Sequence, residues 1–271
     1  MAFSFNIYPG GKKRALTFSY DDGCNADRRL VEIFNKYGVK GTFHLNSGAI
    51  MRGSDWHVKK EEIGTLYAGH EVSCHMMTHP YVTRAPYSMI APEIIADRQF
   101  LEPECGYVIR GMSYPYGLFN NDVLPLFRAA GMEYSRAVSP NESFTVPDDF
   151  MQWHPTSHHS NPNLKNLFDK FMNTNMVLPL MYIWGHSFEF NNNNNWNLIE
   201  EFCEYVSGKD DVWYATNIEI CDYITAIRSL VISADENMAY NPTGTDVWAV
   251  CNGATVVIKA GECFDGRKDK K

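Results

Sequence analysis

Between residues 15 and 230 the chain repeats one pattern seven times: a short apolar run, then a stretch with apolar residues at helical spacing. The runs fall at 15–20, 39–45, 71–74, 107–112, 132–138, 179–184 and 212–215. After the first, Asn25 can cap a helix with Leu30, Ile33, Phe34 and Tyr37 on one face, ending at Gly38. The others are followed by helical stretches at 59–68, from Pro92 through Leu101, and at 122–130, 164–173, 196–207 and 218–230. Strict alternation of this kind implies an α/β protein with parallel strands and crossover helices. A chain of 271 residues is long enough for one such domain with a large core.

Chemistry gathers where that topology predicts a shared mouth. Asp21-Asp22-Gly23 leaves the first strand, His75 follows the third, Tyr116 the fourth and His186 the sixth. In barrels of this kind the carboxyl ends of the strands form the active face. In His75-Met76-Met77-Thr78-His79-Pro80 two histidines stand four apart, and they share one face if the segment turns helically. Two imidazoles and a carboxylate make an open three-ligand site for a zinc-like divalent cation, with the fourth position left to water. Alone, Asp-Asp-Gly reads as an ordinary strand-ending turn, and the histidine spacing arises by chance. Their coincidence at strand ends points to a site.

These stretches resemble the polysaccharide deacetylase family (carbohydrate esterase family four). The likeness rests on Thr17-Phe18-Ser19-Tyr20-Asp21-Asp22-Gly23, on Gly69 to Pro80, on Pro115-Tyr116-Gly117 and on Gly185-His186-Ser187, and covers roughly residues 12 to 230. It implies a distorted, incomplete (β/α) barrel and a hydrolase that removes acetyl groups from N- or O-acetylated oligo- or polysaccharides. By position it implies Asp21 as catalytic base, Asp22, His75 and His79 as ligands of a divalent metal such as Zn2+, and His186 as general acid. The backbone N–H of Tyr116 would help to bind the oxyanion, with Tyr114 beside it toward the substrate. The arginine usual two residues before the turn's proline, which grips the base, is Ser113 here; Arg110 and Arg136 are the candidate replacements, and the alternative is that both are surface ion-pair residues.

Other classes remain in view. A metal-dependent amidohydrolase acting on a small linear or cyclic amide would use the same centre. The missing arginine also permits an inactive, carbohydrate-binding barrel. A glycosidase built on Asp21 and a distant carboxylate leaves the two histidines unexplained.

The net charge of −8 argues against nucleic acid, whose phosphates demand a basic surface, and against anionic membranes. No run reaches the ~18 apolar residues of a membrane span. Seven scattered cysteines, odd in number and without C-x-x-C spacing, favour reduced thiols over a disulfide framework. The first residues lack a basic and then apolar leader pattern, so the chain as written reads as cytoplasmic. An extracytoplasmic place stays open if a leader has been trimmed, and the oligomeric state is open.

Two regions fall outside the repeat. Residues 139–163 form a connection long enough to suggest a role. Within it, Trp153, His154, His158 and His159 suggest a second metal site, a substrate wall or a polar loop. A loop lining the sugar pocket, with Trp153 and His154 toward the substrate, is the favoured reading. Residues 231–271 turn to short β-rich runs, with Asn252-Gly253 as a hairpin signal. They read as a C-terminal β extension packed on a barrel of residues 1–230, joined by an edge strand at 3–8 and ending in a frayed basic tail.

Overall fold

In the computed structural model, which describes residues 3–268, the sheet is assembled around one strand, Arg14–Asp21 (β1). The other parallel strands are Gly41–Leu45 (β2), Glu71–Cys74 (β3), Gly111–Ser113 (β4), Tyr134–Arg136 (β5), Ser157–His158 (β6), Leu180–Gly185 (β7) and Val212–Tyr214 (β8). Their order is β5-β4-β3-β2-β1-β7-β6, with β8 also on β1. One edge of β1 pairs with β7 from Ala15 to Tyr20. The other is shared: Arg14–Leu16 meet β8, and Phe18–Asp21 meet β2.

The long connection is not a plain loop. Trp153 bridges Arg136 in parallel, donating to Ser135 O at 3.1 Å and accepting from Ala137 N at 2.9 Å. Four and five residues on, Ser157 and His158 pair with Ile183 and Trp184 of β7. This segment therefore joins the two open edges of the sheet, and the distorted barrel is drawn shut by main-chain hydrogen bonds.

Side chains alternate across the strands as a period of two requires. Outward, Leu16, Phe18, Tyr20, Phe43, Leu45, Val72, Cys74 and Met112 belong to the main apolar core, with Leu30, Ile33 and Phe34 of helix Asp27–Tyr37. Inward, most of the buried residues are polar: Thr17, Ser19, Asp21, Thr42, His44, Glu71, Ser73 and Arg136, with the tyrosines Tyr134 and Tyr182 beside the apolar Ala15 and Leu180. Many of the polar groups satisfy one another, although both ring nitrogens of His44 and the Arg136 Nε are buried without a partner. Tyr134 Oη donates to Glu71 Oε1 at 2.7 Å, Thr42 Oγ1 to Glu71 Oε2 at 2.9 Å, and Tyr182 Oη to Ser19 Oγ at 3.0 Å. Helix Asn217–Ser229, whose Thr216 and Glu219 form a capping box, closes the far end by donating Ile218 N–H to Glu71 at 2.9 Å.

The C-terminal strands form two small antiparallel sheets. Phe3–Ser4 pairs with Val247–Cys251, which turns at Asn252-Gly253 into Ala254–Ile258. Val231–Ile232, Met238–Tyr240 and Cys263–Asp265 make the second. Phe3, Val247, Ala249 and Ile258 pack with Ala226 of the last barrel helix. The edge strand expected at 3–8 is shorter, because only Phe3–Ser4 finds a partner strand. Of the basic tail, Asp269–Lys271 lies outside the described residues. Among the described residues no two cysteines are joined in a disulfide, and no helix is long and apolar enough to cross a membrane.

Candidate metal centre and active site

Asp22, His75 and His79 bring their ligand atoms within 4.8 Å of one another at the carboxyl end of the sheet. They do so by left-handed backbone rather than by a helical turn. Asp22, Met76 and His79 have φ of 78°, 65° and 56°, and residues 75–80 contain no helix. The two histidines thus converge as the spacing suggests, through a geometry that it does not. Positive φ at non-glycine residues costs about 1–3 kcal/mol each and concentrates at sites where position matters more than stability.

The donor set fits a divalent cation. His75 places Nε2 at 3.6 Å from Asp22 Oδ1, while its Nδ1 lies 3.1 Å from Ser113 O and 2.7 Å from Ser113 Oγ. A bond from Nδ1–H to the Ser113 carbonyl or hydroxyl fixes the tautomer that turns a bare Nε2 toward the carboxylate. Asp97 then anchors the segment, accepting from His75 N–H and Ser47 N–H at 3.0 Å each.

Asp21 is buried beside this group, at 2% exposure. Ser113 Oγ donates to its Oδ1 at 3.2 Å, and the Arg136 guanidinium donates to Oδ2. Burial pushes its pKa up, but Arg136, and then His75, outweigh that and hold the carboxyl well below the usual range. Ser113 and Arg136 are directly paired across β4 and β5. The guanidinium is thus supplied one strand over from where the resemblance would put it, and it lies over the Trp184 ring at 4.5 Å. Arg110 is not an alternative. It forms a bidentate pair with Asp222 at 2.7 Å and meets Glu133 at 2.8 Å, away from Asp21.

His186 presents Nε2 at 4.0 Å from Asp22 Oδ2, and its Nδ1 is 2.8 Å from Glu189 Oε1. Burial disfavours its charged form, yet the bond to Glu189 and the charges of Asp21 and Asp22 leave its pKa raised. Tyr116, in the turn after β4, has φ 58° and a ring 4.4 Å from that of His79. It stacks on Tyr81 at 3.9 Å and 4°. On the His186 side, Phe188 lies 5.1 Å from the imidazole and 5.4 Å from Trp56. Tyr81, Trp56, Phe188 and Glu189 were not singled out from the sequence. Glu189 had one signal, its place three residues after His186, where a turn brings the two together.

Three expected substrate contacts are elsewhere. Tyr114 is fully buried, with its hydroxyl on Met151 O at 2.7 Å. Trp153 is 1% exposed, enclosed by Phe150, Tyr182 and Tyr134 at ring distances of 4.9, 4.8 and 5.7 Å. Its backbone closes the barrel, so its ring fills the wall. His154 lies near Ser139 O at 3.2 Å and lines a separate groove with Asn141 and Asp149. His70 accepts from Gly41 N–H at 3.1 Å at the amino end of β2 and has a structural role.

Fold and site together define a parallel β/α barrel with an open two-histidine, one-carboxylate pocket and a second, clamped carboxylate beside it. Residues 9–135 match the family model for polysaccharide deacetylase. A chitooligosaccharide deacetylase of Bradyrhizobium sp. (strain ANU 289) is 27% identical over 125 residues, which are 44% of this chain and 53% of the relative. A peptidoglycan-N-acetylglucosamine deacetylase of Listeria monocytogenes is 26% identical over 112 residues, 41% of this chain and 23% of the relative. The chain thus matches about half or less of the length of these relatives. A Mycobacterium smegmatis structure described as a polysaccharide deacetylase superposes with a TM-score of 0.64 at 18% identity. That likeness covers 82% of this chain and 93% of the other, and it shows the same fold.

Proposed function

We propose that this chain is a metal-dependent hydrolase that removes acetyl groups from N- or O-acetylated carbohydrates. The observation that carries the reading is the division of labour between adjacent aspartates. Asp22 faces His75 and His79, whereas Asp21 is turned inward and held ionised by Arg136. A divalent cation such as Zn2+, held by Asp22, His75 and His79, would supply a water of lowered pKa and polarise the acetyl carbonyl.

The chain's own groups supply the rest. Asp21, with its rotamer fixed by Ser113 and Arg136, takes the proton of the attacking water. The Tyr116 backbone N–H stabilises the developing oxyanion, a contribution of about 3–4 kcal/mol for a preorganised donor. His186 Nε2 delivers a proton to the departing amine or alcohol. The Tyr81–Tyr116 and Trp56–Phe188 pairs offer apolar faces on which a sugar ring can rest, and the relatives named above act on saccharides of this kind.

The test is acetate release from acetylated chitooligosaccharides and peptidoglycan fragments by protein loaded with Zn2+ after chelator treatment. Metal-dependent acetate release supports the reading. Ammonia or an opened ring from small amides, with no acetate, transfers the site to an amidohydrolase. Binding without any hydrolysis identifies an inactive barrel.

A further inference from the structure

Three imidazoles converge on one carboxylate at the side of the mouth. Glu189 Oε1 lies 2.8 Å from His186 Nδ1, and Oε2 lies 3.1 Å from His159 Nε2 and 3.4 Å from His158 Nε2. The ligand atoms of His158, His159 and Glu189 fall within 4.8 Å of one another, as in the first cluster, so a second cation is one reading. Proton placement decides against it.

A neutral histidine that ligates through Nε2 carries its proton on Nδ1, and that N–H needs an acceptor. His75 has one in Ser113. His159 does not. It is 1% exposed, and its Nδ1 is buried without a partner. The same nitrogen is pressed against Gly185, where a Cβ would stand 2.0 Å away. A bare lone pair there is cheaper than a stranded N–H donor. His158 Nδ1 accepts from the backbone N–H of Ser160 at 3.3 Å and lies 2.7 Å from Ser160 Oγ, and an unprotonated Nδ1 can accept from both where a protonated one would lose the first bond. Both rings are thereby left as Nε2–H tautomers, with that nitrogen toward Glu189.

We propose that Glu189 is the positioning residue for His186, and that His158 and His159 are donors that hold Glu189 in place. The carboxylate takes one N–H from each of three histidines and leaves His186 Nε2 as the atom turned to Asp22. Burial pushes the Glu189 pKa up, but bonds to His158, His159 and His186 hold it well below the usual range. Two of the donors sit at the end of β6, the strand that shuts the barrel, so closure and support of His186 come from one segment. The catalytic consequence rests on the acid role of His186 given above. The proton pattern does not.

Imidazole 15N NMR of the zinc-loaded protein reads the pattern directly. The expectation is protons on Nε2 of His158 and His159 and on Nδ1 of His186, with one zinc per chain. A second zinc per chain that disappears in His159→Gln overturns the proposal. Kinetically, Glu189→Gln lowers kcat on an acetamide-bearing oligosaccharide by about 10–100-fold, with KM and zinc content unchanged. The loss on an activated aryl acetate, whose leaving group needs no proton, is smaller. In a His186→Ala background Glu189→Gln costs nothing further; a full additional loss there overturns the proposal. Should Glu189→Gln fold poorly, His158→Gln, at a half-exposed position, carries the same comparison. Wild-type protein that releases no acetate defeats the deacetylase reading while leaving the NMR result to judge this one.

Discussion

Arg136 reaches Asp21 from the strand beside the one that carries Ser113, and the two side chains bind different oxygens of the same carboxylate. In a buried pair of this kind, removing one partner strands the other's charge at a cost of about 3–5 kcal/mol. Arg136→Met is therefore expected to lower the urea midpoint and to move the acid limb of the kcat/KM profile to higher pH, because Asp21 loses the charge that depresses its pKa. An unmoved limb assigns the base elsewhere. Asp21→Asn should bind zinc nearly as wild type does, since Asp22 remains, yet lose a factor of about 10² to 10⁴ in turnover. Zinc analysis and acetate release on one sample decide it.

At the scale of elements, the segment from Trp153 to His158 is a structural seam. Trp153→Ala opens a void among Phe150, Tyr182 and Tyr134, with an expected loss of about 3–5 kcal/mol in denaturation experiments. A substrate wall would instead show a raised KM at unchanged stability. This seam was not legible in the sequence. Its pairing is irregular, and β6 has only two residues, too few for a periodic signal. Helices Ser47–Met51 and Phe188–Asn192 escaped for the same reason. The seven longer strand–helix units were legible because each repeats its apolar spacing over several residues. So was the meeting of Asp22, His75 and His79, whose strand-end positions fix their neighbourhood. The Arg136 substitution was only half legible, because cross-strand register depends on the assembled sheet.

At the scale of the molecule, the barrel is mostly polar inside and apolar outside. Glu71, buried at its amino end, has its pKa pushed up to about 7, chiefly by burial, from an ordinary value of 4.5. The folded state therefore holds a proton that the unfolded state has released. The stability tied to this group is fully present below pH 4.5 and is lost as pH rises through about 7. Asp27, buried under Ser187 and Tyr67 and also pushed to about 7, shares the direction. Urea denaturation of metal-free protein should show stability declining from pH 5 to pH 8, with on the order of 3 kcal/mol from Glu71. Glu71→Gln should flatten that slope, and an unchanged slope would remove Glu71 as its source. The same interior has a thermal consequence. Exposing apolar surface raises the heat capacity of the unfolded chain and exposing polar surface lowers it. Because unfolding uncovers a hydroxyl- and carboxyl-lined bore, calorimetry should record a smaller heat-capacity step than for a barrel filled with valine, isoleucine and leucine. The curve of stability against temperature is then broad and shallow, and cooling weakens this fold less than it weakens one with a greasy centre.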